Sequence, residues 1–458
     1  MILRPLMPET ASSPAVATRR FPYGFGPRFF VLLGAGLILT IPVWIDPRVI
    51  VALVAWNAVV LTVWVFDVRQ IPMNDRIHIS RRWTAPLALG ARSRVALEVD
   101  NRAAIALRVD AIDDVPASFS GELPQAGVEV GPRERAQVEY EIAPRERGDV
   151  RLGSISLRVR SSWAIGERWL TAAAAQTVRV FPDLDEARRQ SMFLLRSRQV
   201  ALEKRRARVI GLGRDFESLR DYQPGDERRD ICWTVTARRA RPVTKIYQPE
   251  RSQAVWILVD GGRLLRARIG ERTKLDGMVN AALGLAEVAL AAGDRVGLLT
   301  YGRRTHTRLA PGRGGQHLRL IVDALATVPA ERAEADHAAA AAALMAIQKQ
   351  RALIVWLTDV AETAGVPDVI ESAARLSPQH LLLFGVLEPS ELIEAAGAAP
   401  AREEDMYRML AAQEMLDRRE VLLKTLRQRG VHVLEMDPSG PTALLIDRYL
   451  SVKERNLV

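Results

Sequence analysis

The chain of 458 residues contains one cysteine, Cys232, and this scarcity excludes an internal disulfide framework. A single thiol is also typical of a protein kept in a reducing compartment. Because Cys232 lies between Ile231 and Trp233, we predict a thiol packed in an apolar core rather than a nucleophile. A chain of this length exceeds one ordinary domain, so we expect two or three.

The sequence also lacks the motifs of common enzyme classes. It contains no Gly-x-x-x-x-Gly-Lys-Ser/Thr phosphate loop and no Gly-x-Ser-x-Gly elbow. The six histidines are scattered without metal-ligand spacing: His78, His306, His317, His337, His380 and His432. We therefore predict that the protein is not an enzyme, and we keep an uncharacterised hydrolase as a weaker hypothesis.

Acidic residues are fewer than basic ones, so the formal net charge is +10 and the pI is near 10.1. This balance indicates an anionic neighbour: a membrane surface, a nucleic acid or an acidic protein. Much of the charge lies at 184–210, a predicted basic helix that either contacts anionic lipid or an acidic partner, or is simply solvated. We expect no nucleic-acid partner, because no recognition motif or aromatic interleaving accompanies the charge.

Two uncharged runs, 29–45 and 49–66, stand near the N-terminus and are separated by a three-residue break. Each has about the length that a helix needs to cross the hydrocarbon core. Trp44 and Trp64 lie near the ends of the runs, where indoles favour the interface. We predict a transmembrane helical hairpin over 28–67. A signal peptide followed by a core helix is disfavoured, because no small-residue cleavage site follows the first run.

Arginines on either side of the two runs predict the orientation. Four precede the first run and four follow the second, whereas only Arg48 lies between them: Arg4, Arg19, Arg20 and Arg28, then Arg69, Arg76, Arg81 and Arg82. The positive-inside rule then places both termini and the soluble domains in the cytoplasm. Residues 1–27 show little periodicity, and we expect them to be disordered.

Short runs with period-two alternation fill residues 75–182, and turn residues separate them. This pattern predicts an all-β sandwich with an immunoglobulin-like architecture. From 253 to 458, continuous apolar strands alternate with predicted helices at 274–292, 315–328, 337–349, 366–376, 403–429 and 440–453. That alternation predicts a doubly wound α/β domain around a parallel sheet.

A connector at 183–252 joins these two regions, and its segment Gly211–Tyr247 is the most distinctive in the chain. Arginines, acids and aromatic residues alternate closely there. The residues that carry its pattern are Gly213, Phe216, Leu219, Arg220, Tyr222, Gly225, Asp226, Arg229, Ile231, Trp233, Ala237 and Arg238. With these residues the segment resembles the signature of one bacterial family, the membrane-anchored proteins of the domain of unknown function 58 family.

The resemblance covers most of the chain and implies a Rossmann-like C-terminal half with the von Willebrand factor type A-like fold. It also implies a place in the bacterial inner membrane, beside AAA+ ATPases of the MoxR type that remodel or assemble protein complexes. We therefore expect a chaperone-like, non-enzymatic adaptor that binds such an ATPase and an unknown client protein, with ATP chemistry supplied in trans.

The same resemblance implies a metal site at the strand ends, and here the sequence departs from the pattern. Von Willebrand type A domains hold a divalent metal with Asp-x-Ser-x-Ser, a loop threonine and a second strand-end aspartate. Asp260 and Asp359 match the two aspartates, but Gly262 and Leu264 replace both serines, and the loop at 311–315 has no threonine.

Three interpretations of this degenerate site stay open. The two carboxylates could hold magnesium weakly, which would make the protein a metal-dependent protein-binding receptor. Arg263 could replace the metal and bridge Asp260 and Asp359, because a guanidinium carries fixed charge and five donors. Alternatively, both aspartates cap helix N-termini. We expect no other cofactor.

Opposite charges in the connector predict a local network. Arg220, Asp226, Arg229 and Arg238 are close in sequence, and we expect them to fix the connector against the sheet, with Trp233 and Tyr222 as apolar cover. A direct contact with a partner is the alternative interpretation of the same residues.

Overall fold

The computed structural model describes residues 11–16, 21–38, 41, 50–73, 76–119, 123–183, 215–223, 226, 228–248, 253–360, 366–438 and 440–455. The chain divides between Phe181 and Pro182 into two compact units. The predicted turn at 46–48, the predicted basic helix at 184–210 and two connector glycines, Gly213 and Gly225, lie outside the described residues.

Two apolar helices begin the first unit: α1 (Pro27–Ile38) and α2 (Ile50–Gln70). Within the 21 residues of α2, an 18-residue window has a mean hydropathy of 2.0, and by length and composition this helix could cross a membrane. The 12 described residues of α1 are fewer than a membrane span requires. The two helices are in contact, and the Trp56 indole donates to the Leu32 carbonyl at 3.0 Å.

The rest of the first unit is rich in β-structure, as predicted for 75–182. Its strands are β1 (Ala11–Val16), β2 (Tyr23–Phe25), β3 (Ile77–Trp83), β4 (Leu87–Ala88), β5 (Ser93–Asn101), β6 (Leu107–Asp113), β7 (Gln125–Val130), β8 (Arg135–Ile142), β9 (Gly148–Leu152), β10 (Ile155–Ser161), β11 (Gly166–Ala172) and β12 (Gln176–Phe181). Nine strands form one antiparallel sheet in the order β7-β6-β10-β11-β1-β3-β5-β8, with β2 on β11. A second sheet contains β4, β12 and β9, in which β12 is parallel to β4 and antiparallel to β9. The immunoglobulin-like topology stays a prediction.

Alternating side chains build the core of this unit. Fully or almost fully buried residues on the large sheet include Ile79, Val99, Val109 and Leu157. Burying one such side chain contributes about 1.5–3 kcal/mol relative to leaving it exposed. The period-two alternation that predicted these strands therefore corresponds to one face of a sheet turned toward a core.

The N-terminal segment departs from the prediction of disorder at two places. Residues 11–16 pair with both β3 and β11, and residues 23–25 pair with β11. Ala15 is completely buried. The prediction was wrong for these residues because main-chain pairing to existing strands needs no apolar periodicity of its own, and periodicity was the signal used.

The second unit opens with a hairpin formed by β13 (Asp215–Asp221) and β14 (Val243–Gln248), which pair antiparallel. Between them lies α3 (Trp233–Arg239), a helix of 7 residues with no buried side chain. The hairpin corresponds to the predicted connector.

The α/β part contains six longer strands and seven helices among its described residues. The strands are β15 (Ala254–Asp260), β18 (Arg295–Tyr301), β19 (Thr305–Gly312), β20 (Leu353–Leu357), β21 (Leu381–Leu387) and β22 (His432–Met436), and a short pair is formed by β16 (Arg268–Ile269) and β17 (Arg272–Thr273). The helices are α4 (Lys274–Ala291), α5 (Gly314–Ala326), α6 (His337–Ile347), α7 (Val366–Leu376), α8 (Ser390–Gly397), α9 (Glu403–Gln428) and α10 (Pro441–Glu454).

The sheet order is β19-β18-β15-β20-β21-β22, and every neighbouring pair is parallel except β18 and β19. The sheet is therefore mixed, whereas a parallel sheet was predicted. The difference is the edge strand β19, whose side chains are mostly half-buried or exposed and show no continuous apolar run.

Continuous burial explains why the central strands were predictable. Every residue of β15 and of β20 is buried, so both strands appear as unbroken apolar runs. Trp256 and Trp356 are completely buried in one core that also contains residues of α6, α7 and α9. On this frame, Asp260 is the last residue of β15, and Asp359 follows β20 by two residues.

Candidate functional site at the strand ends

The carboxyl ends of β15 and β20 lie side by side, because these two strands are parallel neighbours. Ligands of open α/β sheets bind beyond such strand ends. Asp260 and Asp359 therefore share one edge of the sheet, and only 3% and 7% of their surfaces are exposed. Carboxylates at this depth require partners.

The Asp260 carboxylate has hydrogen-bond partners on both oxygens. Oδ1 accepts from the Gly262 N–H at 2.6 Å, and Oδ2 accepts from the Thr358 hydroxyl at 2.6 Å. Burial raises the pKa of Asp260, while His337 and both hydrogen bonds oppose the rise. Gly262, which donates this bond, is the N-cap residue of a short 3₁₀ turn (Arg263–Arg266) that has no side-chain cap, so the capping interpretation of Asp260 stays a prediction.

Gly262 fits this turn because the space around it is tight. A Cβ at this position would lie 3.0 Å from the Ala335 nitrogen and 3.0 Å from Asp260 Oδ1. A serine here, as in the Asp-x-Ser-x-Ser pattern, would therefore clash with Asp260, the aspartate beside which it would bind the metal.

The Asp359 carboxylate faces two cations of the protein itself. Lys274 Nζ lies 2.7 Å from Oδ2, and Arg419 Nη1 lies 3.4 Å from Oδ1. The Arg419 guanidinium also donates to the carbonyls of Val360 at 2.9 Å and Leu387 at 2.6 Å. This buried arginine thus links α9 to the ends of β20 and β21, and Asp359 balances its charge.

Arg263 does not bridge the two aspartates, and this part of the prediction was wrong. Its side chain pairs with Glu334 at 2.8 Å, and about half of it is exposed. The backbone sets this direction, since the Arg263 N–H donates to the Ala333 carbonyl and brings the side chain beside Glu334. The protein cations at the site are Lys274 and Arg419, which no sequence motif indicated.

Next to Asp260 lies a chain of three aromatic groups, of which Trp356 and Tyr301 are buried and His337 is half-buried. The Trp356 indole donates to the Tyr301 hydroxyl at 2.5 Å, and that hydroxyl lies 3.0 Å from His337 Nδ1. Burial lowers the pKa of His337 and raises the pKa of Tyr301 well above its usual value. Both groups are therefore neutral near pH 7, and the Tyr301 hydroxyl and His337 Nδ1 share one hydrogen bond.

The donor set at this edge does not fit a divalent metal as it stands. The described residues contain no group of three or more His, Cys, Asp or Glu side chains that could hold one. Magnesium prefers six oxygens in octahedral array. Here an ammonium and a guanidinium occupy the oxygens of Asp359, and Thr358 occupies one oxygen of Asp260.

The connector hairpin brings together one of its predicted ion pairs. Arg220 lies 2.6 Å from Asp226, whose other oxygen accepts from the Gln223 N–H at 3.0 Å. The Gln223 bond, followed by the Arg220 charge, lowers the pKa of Asp226. Arg238 is exposed, and the description of Arg229 does not extend to its side chain.

Two other connector predictions were wrong. Trp233 is 69% exposed and covers no core. Cys232 is half-buried rather than packed inside, and it directly precedes the exposed helix α3. The apolar neighbours of Cys232 in sequence were a misleading signal, because a helix of two turns on the surface can expose its apolar side chains.

Comparisons with known proteins found a family model that matches part of the chain. Residues 218–397 match the family described as protein of unknown function DUF58. The match contains the ion pair of the connector and both strand-end aspartates. The predicted resemblance is confirmed over this segment; its von Willebrand-like and ATPase aspects stay predictions.

Uncharacterised proteins of Mycobacterium tuberculosis (strain H37Rv) and Mycobacterium bovis are 25% identical to the chain over 267 residues, covering 54% of it and 82% of each relative. Among solved structures, a conserved hypothetical protein BatB from Bacteroides thetaiotaomicron is 14% identical with a TM-score of 0.31, covering 44% of this chain and all of its own. Proximal thread matrix protein 1 from the mussel byssus is 14% identical with a TM-score of 0.29, covering 43% of this chain and 46% of its own. At these scores, neither structural similarity supports an assignment of fold.

Proposed function

We propose that this protein is a non-enzymatic adaptor of the bacterial inner membrane that binds a MoxR-type AAA+ ATPase and its client. The observation that supports this proposal best is the closed state of the strand-end site. Lys274 and Arg419 neutralise Asp359, and Thr358 and Gly262 satisfy Asp260. Because the reactive groups of this buried site bind each other, we assign the site a structural role and place the partner contact elsewhere on the chain.

The membrane placement rests on α2, a helix that is long and apolar enough to span and that is mostly exposed. Aliphatic side chains on its surface include Val54, 63% exposed, and Leu61, 52% exposed. Surfaces of this kind on a soluble protein would promote aggregation, whereas lipid covers them in a membrane. The arginine distribution then keeps the soluble units on the cytoplasmic side, where an ATPase is available.

The connector hairpin is our proposed contact for the ATPase. It presents an exposed tryptophan, Trp233, beside exposed arginines at 238 and 239. Tryptophan and arginine are the residue types that most often dominate the binding energy of protein interfaces. The Arg220–Asp226 ion pair joins strand β13 to the segment that follows it and leads to this surface.

A binding experiment with purified components tests the proposal. The full chain, reconstituted in lipid vesicles, is mixed with the MoxR-type ATPase of the same organism, and the bound ATPase is measured after flotation. We expect Trp233→Ser and Arg238→Glu to reduce binding at least tenfold, while Arg375→Glu, the same charge change on the α/β surface, leaves it unchanged.

Exchange of the connector pair separates a structural role from a contact role. Arg220→Asp with Asp226→Arg keeps an ion pair but reverses its direction. Binding that survives the exchange assigns the pair to folding of the hairpin, and binding that is lost in a folded exchange variant assigns Arg220 to the contact. Wild-type protein that binds no ATPase under any nucleotide condition contradicts the proposal.

A metal-dependent protein-binding receptor is the alternative function. It would require Lys274 to leave Asp359, so that Asp260, Thr358 and Asp359 could share a cation. A rise in wild-type stability on addition of magnesium, abolished by Asp359→Asn, would favour this alternative.

A further inference from the structure

The end of α2 is fastened to the turn that joins β10 to β11. Asp67, in the last turn of α2, is completely buried and accepts from the Ser161 hydroxyl, from the Ile165 N–H at 3.1 Å and from the Gly166 N–H at 2.7 Å. Three donors on one carboxylate offset its burial near a helix C-terminus, where negative charge is disfavoured. These bonds therefore fix the position of the 161–166 turn along the axis of α2.

Aromatic side chains, all of them exposed except the half-buried Trp64, surround this junction. The Trp163 ring, on the turn, lies 5.9 Å from the Phe66 ring of α2, and the two residues are 46% and 56% exposed. Phe25, 45% exposed, lies 4.9 Å from the Trp64 ring, whose indole donates to the Gly24 carbonyl at 3.1 Å. We call Phe21, Tyr23, Phe25, Trp64, Phe66 and Trp163 the aromatic collar.

Two arginines, Arg28 and Arg69, lie at the same end of the helices as the aromatic collar. Arg28, at the start of α1, is exposed and donates to the carbonyls of Ser162 and Trp163, each at 3.2 Å. Arg69 is exposed in the last turn of α2. Because α1 begins and α2 ends at this level, both arginines mark one end of the apolar helical surface.

We infer that the aromatic collar is seated in the headgroup region of a phospholipid bilayer, so that the 161–166 turn rests in the membrane surface. The inference builds on the proposed membrane placement of α2. Indole and phenol rings prefer the boundary between hydrocarbon and water, and arginine binds lipid phosphate. The collar is continuous with the exposed apolar surface of α2, and this continuity identifies lipid as the occupant.

The distance along β10 provides a control position. Ile112 pairs with Ser156, five residues before Ser161 on β10. At about 3.3 Å per residue, Ile112 lies roughly 17 Å further along the strand from the proposed membrane surface. Ile112 is also partly exposed, so a probe attached there is accessible.

The test uses depth-dependent fluorescence quenching in the full chain. Cys232→Ser removes the single cysteine, and new cysteines are introduced one at a time by Val54→Cys, Trp163→Cys, Ser162→Cys and Ile112→Cys. Each is labelled with a nitrobenzoxadiazole probe and reconstituted in vesicles of phosphatidylcholine and phosphatidylglycerol that carry a spin label in the headgroup or deep in the acyl chain. Ser162→Cys keeps the Trp163 ring in case its loss disturbs the turn.

We expect the deep spin label to quench the probe at 54, the headgroup label to quench the probes at 162 and 163, and neither to quench the probe at 112. Quenching at 54 without quenching at 162 and 163 overturns the proposed position of the aromatic collar in the headgroup region, but not the membrane placement of α2. Absence of quenching at 54 overturns the membrane placement itself, and the collar with it.

Discussion

Removal of the Lys274 cation should destabilise the second unit through Asp359. Lys274→Met keeps the length of the side chain but leaves a carboxylate whose own side chain is only 8% exposed. Breaking a buried ion pair by removing one partner costs about 3–5 kcal/mol. Arg419 remains at 3.4 Å and Lys274 is 19% exposed, so we expect a cost at or just below the lower limit of this range, about 2–3 kcal/mol.

The assay is urea unfolding of the detergent-solubilised full chain, without divalent metal, followed by tryptophan fluorescence. Trp256 and Trp356 are completely buried in the same unit and report its unfolding. Lys424→Met is the matched control, because Lys424 pairs with Glu420 on an exposed helix face and the same change there should be too small to resolve. Asp359→Asn combined with Lys274→Met should recover most of the loss, because the uncompensated charge disappears. Equal unfolding midpoints for Lys274→Met and Lys424→Met would refute the reasoning.

Three further predictions concern metal, the helix junction and pH. Added Mg²⁺ should leave the melting temperature of the wild type unchanged, because protein cations already neutralise Asp359; a metal-dependent rise would show that Lys274 is displaced. Asp67→Ala should lower the stability of the first unit by about 2–4 kcal/mol, because three donors lose their acceptor, and faster hydrogen exchange at Ile165 and Gly166 would check it. Burial, then Arg351, lowers the pKa of His380, so stability is present above about pH 6.5 and lost as pH falls through the folded pKa. His380→Gln should flatten this loss in urea titrations at successive pH values, and an unchanged pH profile would contradict it.

The parts of the fold that were predictable are those where burial leaves a pattern in the sequence. The strands β15 and β20 are buried on both faces and appear as apolar runs, and Asp260 and Asp359 mark their ends. Strand β19 was missed because it lies at the edge, beside one neighbour, with little burial. Strand β1 was missed because its pairing uses the main chain.

The partners of the site were beyond prediction for a different reason. Lys274 and Arg419 stand 85 and 60 residues from Asp359, and only the packing of α4 and α9 against the sheet brings them there. Arg263 was considered because its guanidinium carries fixed charge and five donors, but its side chain pairs with Glu334. Thr358, which donates to Asp260, could have been found because it directly precedes Asp359 in the sequence. We looked for the threonine of the metal-site pattern only in the loop at 311–315.

Crosslinking in the native membrane, followed by purification of the full chain and mass spectrometry, tests the central claim most directly. The account predicts that a MoxR-type ATPase is recovered with the wild type and is depleted with a folded Trp233→Ser variant. Recovery of no such ATPase, with or without ATP and magnesium, would contradict the account.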